Sequence, residues 1–188
     1  LTINAVIVDG IASAGIVKLG AGTLVLSAAN TFTGPVSVHG GVLSISSAAN
    51  LGAAASLNLA ATLQVTGSSA VTLDKNILLT GNGTLDVANT AGVTLTGRID
   101  GGFNFTKTGA NSLTLAAANT FNGTTTVSAG QLILGHRDAL EFSTLNSTGN
   151  VVFSSTAGGV FTLGGLTGST NMALEDNAAG AISLQVVG

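Results

Sequence analysis

Short runs of alternating apolar and polar residues follow one another along nearly the whole chain. Most runs are four or five residues long, and Gly, Asn or Asp separates most of them, as at Gly40-Gly41 and Gly81-Asn82-Gly83. A period of two places apolar side chains on one face of a β-strand, and glycine-rich breaks mark turns. The pattern predicts strands at Thr23–Ser27, Val36–Val38, Val42–Ile45, Ser56–Leu59, Thr62–Val65, Val71–Leu73, Ile77–Leu79, Thr84–Val87, Val93–Thr96, Ser112–Leu115, Gln131–Leu134, Asn150–Phe153, Val160–Leu163 and Ile182–Val186.

Helical periodicity is weak everywhere in the chain. Ala48–Ala55 and Arg137–Glu141 are each long enough for one helical turn, and their first residues lie 89 positions apart. We therefore expect an almost all-β protein with a short loop or helical turn at these two places.

A thirty-residue block occurs twice without a gap, at residues 16–45 and 105–134, and fourteen of its thirty positions are identical. Self-similarity at a fixed offset indicates similar units stacked on one another rather than one closed domain. The recurring positions that we assign to the structural scaffold are Lys18, Gly20, Leu24, Leu26, Asn30, Phe32, Gly34, Val38 and Leu43 in the first copy, and Lys107, Gly109, Leu113, Leu115, Asn119, Phe121, Gly123, Val127 and Leu132 in the second.

Two β architectures suit the alternation. A β-sandwich fits the short strands and the spacing of the turns, but a β-solenoid fits the repeat better, because each coil stacks short strands on the coil before it at roughly 4.8 Å. At about 20 residues per coil, the chain makes roughly nine coils, and the offset between the two copies is about four coils. The predicted fold is an all-β, right-handed parallel β-solenoid, or β-helix, with roughly nine short coils.

The repeat also predicts which side chains face the interior. Leu24 and Leu26, with their counterparts in the second copy, are expected inside the rod, and Asn30 through Gly34 is expected to form a corner. Asn at a corner tolerates left-handed turns, bonds the local backbone, or stacks in a ladder with other Asn side chains. Phe32 occupies the same corner in both copies, which indicates a structural role.

The composition excludes several function classes. Only 7% of the residues are charged and the net charge is −3, against roughly 25% charged residues in ordinary soluble domains. Without a Lys/Arg cluster, the electrostatic footprint of a nucleic-acid-binding protein is missing. The chain has no cysteine, so disulfides, thiol catalysis and cysteine-ligated zinc are excluded. No dinucleotide or phosphate-loop motif indicates a cofactor, and no small-molecule substrate is expected.

Catalytic chemistry has few candidates. The best group of charged residues is Asp74, Lys75, Asp86, Arg98 and Asp100. If adjacent coils bring some of them to one surface, they resemble the clustered carboxylates of β-helix enzymes that cleave polysaccharides. The absence of Tyr and Trp leaves no such ring to stack on a sugar. These charges are more simply solubilising residues at loops.

Histidine and phenylalanine raise two further questions. His39 matches Ser128 in the second copy, so the repeat does not require it, and His136 lies in an expected loop. Surface positions explain both better than a metal or base role. Phe103, Phe105, Phe121, Phe142, Phe153 and Phe161 form either an exposed adhesive patch or, as we expect, stacked core residues.

The two blocks resemble the autotransporter-associated β-strand repeat, also called the passenger-associated transport repeat. That family has a pattern close to K-x-G-x-G-T-L-x-L-x-x-x-N-T-Y/F-x-G-x-T-x-V-x-x-G-x-L. The first copy departs from it at Pro35-Val36 and the second at Asn111-Ser112. The positions of the first copy that keep the pattern are Lys18, Gly20, Gly22, Thr23, Leu24, Leu26, Asn30, Thr31, Phe32, Gly34, Val38, Gly41 and Leu43.

The resemblance implies a passenger segment of a type V secreted, outer-membrane-anchored protein, located at the bacterial cell surface or outside the cell. In that family the repeat is thought to help the passenger emerge and fold. The expected function is therefore structural and non-enzymatic, as an autotransporter passenger or adhesin stalk. Residues 1–188 are expected to form a single solenoid segment of a longer protein or assembly.

Two alternatives stay open at the level of sequence. One is a self-assembling extracellular filament whose subunits stack end to end, because a solenoid without caps leaves unpaired backbone at its ends. The other is a polysaccharide-cleaving β-helix enzyme. The expected partners are neighbouring coils of the same protein, other copies of it, or a host or biofilm surface, without nucleic acid, metal or cofactor.

Overall fold

Nearly all of the regular structure is β-strand. The computed structural model describes residues 1–54, 56–169 and 171–188. The strands are β1 Thr2–Ile3, β2 Ile16–Lys18, β3 Thr23–Leu26, β4 Val36–Val38, β5 Val42–Ile45, β6 Ser56–Leu59, β7 Thr62–Val65, β8 Val71–Leu73, β9 Asn76–Leu79, β10 Gly83–Val87, β11 Val93–Leu95, β12 Ile99–Gly101, β13 Phe105–Thr108, β14 Ser112–Leu115, β15 Thr124–Val127, β16 Gln131–Leu134, β17 Leu140–Asn146, β18 Asn150–Phe153, β19 Val160–Thr167 and β20 Ser183–Val186.

Helical structure is limited to one turn among the described residues. A 3₁₀ helix spans Ala48–Leu51, with Ser47 as its N-cap. It lies in the first of the two segments that the sequence marks for a helical turn; the last residue of that segment, Ala55, is outside the described residues. The second segment forms a turn that leads directly into β17. Within the described part of the chain, no helix is long and apolar enough to cross a membrane.

Three sheets of parallel strands build the rod. Sheet A contains ten strands in the order β1-β3-β5-β7-β10-β13-β15-β17-β19-β20, sheet B five strands in the order β12-β9-β6-β4-β2, and sheet C five strands in the order β18-β16-β14-β11-β8. Paired residues of sheet A are 19 to 23 positions apart, from Thr23 with Val42 to Val160 with Ser183. The chain is thus a parallel β-solenoid of about nine turns, and the predicted fold class is confirmed. A sandwich of antiparallel sheets is excluded by the parallel pairing.

The core is a set of aliphatic columns that run along the rod. Leu43, Leu63 and Leu85 are register partners on consecutive strands of sheet A, and all three side chains are fully buried. Parallel sheets usually bury both faces and have continuous apolar strands. Here only the inner face is covered, so burial alternates along the strand, as in β6, β7, β14 and β16. This explains why the alternation was so readable in the sequence.

Coils that carry the repeated block differ from the coils between the copies. Between the copies, β7-β8-β9 and β10-β11-β12 give three strands per coil, one on each sheet. In each copy, a coil has two strands and a long corner in place of the third. In the second copy this corner continues sheet B, because Phe121 N–H donates to the Ile99 carbonyl and Asn122 N–H donates to the Gly101 carbonyl of β12.

The two copies lie on different sides of the rod. Strands β2 to β5 of the first copy alternate between sheets B and A, whereas β13 to β16 of the second alternate between sheets A and C. Following the register partners of Leu24 through Leu43, Leu63 and Leu85 leads, after four coils, to Lys107 and not to Leu113. Residues 89 positions apart are therefore separated by four coils plus the step from one sheet to the next sheet around the rod.

Phenylalanines divide into buried and exposed groups. Phe105 and Phe121 meet edge to face with ring centroids 6.0 Å apart, and Phe153 and Phe161 do so at 4.8 Å. The expectation that every phenylalanine of this group stacks in the core is wrong for Phe103 and Phe142, which are 44% and 51% exposed. Phe103 lies in the turn after β12, and Phe142 lies within β17 where the pairing with β19 shifts register between Leu140 and Thr144. Neither ring therefore occupies an inward position of a regular strand.

Candidate functional site: the repeated corner and its buried lysine

The lysine of the motif is buried inside the rod. Lys107 lies on β13 between its register partners Leu85 and Val127, and its side chain is 0% exposed. Lys18 lies on β2 beside Val38 and is 7% exposed. Charged side chains are almost never buried to this degree without partners. The backbone supplies those partners.

Three backbone carbonyls surround each ammonium group, an arrangement we call the lysine cage. Lys18 Nζ donates to the carbonyl oxygens of Leu19, Gly20 and Gly40 at 2.9, 2.7 and 2.8 Å. An ammonium has three donors, and here all three are used. Bonds from a charged donor are about twice as strong as neutral ones, so the cage offsets much of the cost of burial.

The second cage repeats the first residue by residue. Lys107 Nζ donates to the carbonyl oxygens of Thr108, Gly109 and Ala129 at 2.7, 2.7 and 3.0 Å. Each acceptor lies 89 positions after its counterpart in the first copy. In each cage two acceptors are the two residues directly after the lysine, and the third lies 22 positions after the lysine, in the next coil.

Glycines shape the cage. Gly20 and Gly109 have φ of +69° and +77°, in the left-handed region that favours glycine. The turn of the following coil packs on this turn at Gly41 or Gly130, where a Cβ atom would lie less than 3.0 Å from the carbonyl oxygen of Gly20 or Gly109, respectively. Lysine and glycine recur together because the glycines allow the close turns whose carbonyls accept hydrogen bonds from the ammonium.

Burial has an electrostatic consequence at the second cage. It lowers the pKa of Lys107 from its usual 10.5 to about 8, and the carboxylate of Asp86 on the neighbouring strand β10 raises the pKa and so offsets part of this shift. Desolvation disfavours the charged form of a lysine, whereas a nearby negative charge favours it. The ammonium of Lys107 is therefore maintained at some cost to stability.

The motif asparagine joins three coils at the corner. The Asn119 side chain accepts a 2.7 Å hydrogen bond from Ile99 N–H of the preceding coil and donates a 2.8 Å bond to the Ala139 carbonyl of the following coil. Asn30 does the same with Ile7 N–H and the Asn50 carbonyl. Among the described non-glycine residues, only Ala179 has a positive φ, so both asparagines have negative φ. Their side chains bond backbone groups and do not form the ladder of stacked Asn side chains that the sequence also allows.

Phenylalanine and glycine complete the corner. Phe32 and Phe121 are buried, and they fill the interior on the side where these coils lack a third strand. Two residues later, a Cβ atom on Gly34 or Gly123 would lie less than 3.0 Å from backbone atoms of Ala14 or Phe103 in the coil before. Glycine therefore allows the chain to leave the corner in close contact with its neighbour.

The remaining scaffold positions fall mostly in the core. Leu24, Gly109 and Gly123 are half-buried, and Gly20 is exposed. The buried members of the predicted set are Lys18, Leu26, Asn30, Phe32, Gly34, Val38, Leu43, Lys107, Leu113, Leu115, Asn119, Phe121, Val127 and Leu132.

Of the charged residues considered for catalysis, Asp74 and Lys75 lie one coil before Arg98 and Asp100, since Arg98 N–H donates to Asn76 Oδ1. Asp86 does not join them, so the five residues do not form one site. Asp74 and Lys75 pair at 3.5 Å, and Arg98 pairs with Asp100 on β12. Asp86 lies on sheet A, where it accepts a 2.8 Å hydrogen bond from Gln64. Among the described residues, no three or more His, Asp or Glu side chains are grouped so that they could hold a metal ion.

Neither histidine forms a catalytic arrangement. His39 is exposed. His136 Nδ1 accepts a hydrogen bond from Asp138 N–H at 3.1 Å and lies 3.8 Å from the Asp138 carboxylate, at the turn before β17. Such contacts are typical of a surface turn.

A shallow cavity of about 520 Å³ lies between β18 and residues 171–177. Val151, Met172 and the polar side chains of Asn150 and Asn171 contribute to its walls. Its walls include the carboxylate-bearing Glu175 and Asp176, but Asp176 Oδ1 already accepts hydrogen bonds from the N–H groups of Ala178 and Gly180. The walls thus combine aliphatic and amide groups with two carboxylates, of which Asp176 caps a local turn.

Sequence reasoning identified the recurring lysine but not its surroundings. The signal was present, because Lys18, Gly20 and Gly41 all recur at the same offset in a chain with only five basic residues. A recurrent charge among aliphatic positions indicates a buried partner set. The carbonyl acceptor in the next coil, however, becomes visible only when the coils are stacked.

The fold and the repeated corner define the class: a parallel β-solenoid in which one strand-turn-strand-corner unit is built twice. Residues 16–45 and 105–134 match the family model described as Passenger-associated-transport-repeat. The resemblance read from the sequence is thereby confirmed, and the two blocks are passenger-associated transport repeats.

The chain is also similar to a protein that is named as an autotransporter. Over 120 residues the chain is 34% identical to the protein named Adhesin BmaC autotransporter of Brucella suis biovar 1 (strain 1330). The similarity covers 63% of this chain and 4% of that protein, so the chain matches a small part of this relative. No solved structure matches the chain significantly.

Proposed function

We propose that this chain is a structural, non-enzymatic rod segment of an autotransporter passenger, displayed at the cell surface or outside a bacterium, and that it serves as an adhesin stalk. The observation that carries the proposal is the uninterrupted parallel pairing of ten strands along sheet A. Such pairing continues from coil to coil along the rod axis. The segment therefore acts as a spacer that keeps the adjoining part of the protein at a distance. The relative is named an adhesin autotransporter, and this supports the same role.

The rod acts through backbone pairing and aliphatic columns. Each coil adds about 4.8 Å of length and buries its inward side chains on those of the coil before. Each buried leucine or valine contributes roughly 1.5–3 kcal/mol. Since each coil contacts mainly its neighbours, stability is close to a sum over coils and interfaces. The partners we propose are the adjoining coils of a longer protein and a host or biofilm surface.

The test removes whole coils from the parent protein on its bacterium. Deleting residues 62–83 takes out one coil, because Thr62 and Thr84 are register partners and β10 then takes the place of β7. For a stalk, we expect surface display and attachment of the bacteria to host cells to persist. The matched control deletes residues 62–72, half a coil, which puts the following strands out of phase and should abolish display.

Two results would contradict the proposal. If the whole-coil deletion left display intact but abolished attachment, the segment would be a binding surface in its own right. If the half-coil deletion were displayed as well as the whole-coil deletion, continuous stacking would not be what the rod provides.

A further inference from the structure

Each lysine cage carries a desolvation cost, because it buries a charge, and it requires particular backbone carbonyls as partners. Each places a charge in a column whose other members are mainly aliphatic: on sheet A, Lys107 follows Leu43, Leu63 and Leu85 and precedes Val127. A methionine of similar length would fill the same space without a desolvation cost, and replacing buried charges in this way is often neutral or stabilising. Stability alone therefore does not explain why both copies keep the lysine.

The neighbouring strands leave their alignment weakly specified. Thr106 and Thr108 point outward from β13, and Thr124 and Thr126 point outward from β15. A slip of two residues keeps inward residues inward, and on the outer face it pairs Thr106 with Thr124 in one direction or with Ser128 in the other. The hydrophobic pattern of these short strands does not distinguish the two alignments, so the alignment depends on specific contacts, such as that of Gly123 with the Phe103 backbone and those of the cage.

The third hydrogen bond of the cage does distinguish them. The acceptors Thr108 and Gly109 travel with the lysine, but Ala129 follows β15 in the next coil. A two-residue slip moves that carbonyl by about 6.6 Å, beyond hydrogen-bond distance, and leaves one donor of a buried ammonium without a partner. The tight contact of Gly130 with the carbonyl of Gly109 belongs to the same alignment.

We propose that Lys18 and Lys107 act as register keys: each selects the correct alignment of its coil with the next one, and contributes specificity to folding rather than net stability. The proposal holds for the rod whatever the parent protein binds. The two cages lie four coils and one side apart, so alignment is checked at two separated points.

The experiment uses the chain's lack of cysteine. Thr106 and Thr126 are register partners, so the double variant Thr106→Cys/Thr126→Cys reports native alignment by forming a disulfide on oxidation. Thr106→Cys/Thr124→Cys and Thr106→Cys/Ser128→Cys report slips by two residues in either direction. In the native alignment these diagonal pairs lie about 7–8 Å apart, too far for an unstrained disulfide.

Each cysteine pair is refolded from urea in the background of Lys107→Met and of the matched control Lys75→Met, which replaces a lysine outside the motif. We expect the slipped disulfides to rise about tenfold or more in Lys107→Met and to stay at the wild-type level in Lys75→Met. The urea midpoint of Lys107→Met at pH 7 should equal or exceed that of the wild type.

Lys18→Met tests the first copy in the same way, with Val17→Cys/Ser37→Cys for the native alignment and Val17→Cys/His39→Cys for the slip. The proposal is overturned if slipped disulfides in the cage variants match those in Lys75→Met, since the lysine would then merely fill space. It is also overturned if Lys107→Met no longer folds, since the lysine would then hold the coils together instead of choosing their alignment.

Discussion

Leu113 lies on sheet C, whereas Leu24, which holds the same motif position 89 residues earlier, lies on sheet A. The motif therefore keeps its internal geometry while facing a different side of the rod. Its lysine cage, asparagine bridge and glycine contacts are made within the unit or with the adjoining coils, so they do not depend on which sheet the unit occupies. Predictions about one copy should therefore hold for the other.

Asn119→Ala should destabilise the protein strongly. The substitution removes the hydrogen bonds to Ile99 N–H and to the Ala139 carbonyl, and it leaves both backbone groups without this partner inside the corner. Each buried unsatisfied group costs about 1–3 kcal/mol, so for the two groups we expect a loss of about 2–6 kcal/mol in urea unfolding. The control is Asn122→Ala, at an exposed position of the same corner. Similar losses in both variants would show that the bridge is not what stabilises the corner.

Gly123→Ala should be harmful although it adds only one methyl group. The new Cβ would lie less than 3.0 Å from backbone atoms of Phe103, and the backbone cannot move without parting two coils. Overpacking of this kind costs about 1–3 kcal/mol. Gly22→Ala in the first copy is the matched control, because its Cβ would have nothing within 4 Å. Thermal unfolding of both variants checks the difference, and equal melting temperatures would refute the close-contact argument.

Phe121→Ala should cost about 3–5 kcal/mol, as expected for removing a buried aromatic ring. The ring is 1% exposed and packs edge to face against Phe105, and no third strand is present on that side to fill the space. Phe103→Ala removes a ring that is 44% exposed and should cost much less. Urea unfolding of the two variants compares them directly; a larger loss for Phe103→Ala would mean that the corner phenylalanine is not a core residue.

Stability should rise as the pH increases from about 8 towards 10.5, because the pKa of Lys107 is lowered to about 8 in the folded state. In that range the unfolded chain still holds the proton that the folded chain has released, and stability rises with pH wherever the unfolded state binds more protons. Below pH 8 the lysine is protonated in both states and contributes no slope.

Urea unfolding between pH 7 and pH 10 measures this slope in the wild type and in two variants. Lys107→Met should remove the contribution of this group, and Lys75→Met should retain it. A slope unchanged by Lys107→Met would mean that the folded-state pKa of Lys107 is not lowered.

Much of the fold was readable from local pattern. Alternation predicted strands such as Gln131–Leu134 at the bounds that the structure has, because each inward position meets the same aliphatic column and each outward position meets solvent. The repeat placed Asn119 and Phe121 at a corner, since a strand-turn-strand unit of this size determines its own local geometry. The strand pattern is encoded within a few residues, although the corner is completed by the hydrogen bonds of Asn119 to Ile99 and Ala139 in the adjoining coils.

The position of each repeat around the rod depends on the summed lengths of the coils before it, so it is visible only in the tertiary structure. Coils of 19 to 23 residues and two extra strands between the copies place the second repeat one side further round the rod, which no local pattern encodes. The same stacking brings Ala129 to Lys107 and turns Phe103 outward. The order of residues alone shows which units recur and which side chains face inward, whereas the side that each unit faces and the carbonyl that completes the cage follow from the stacking of coils.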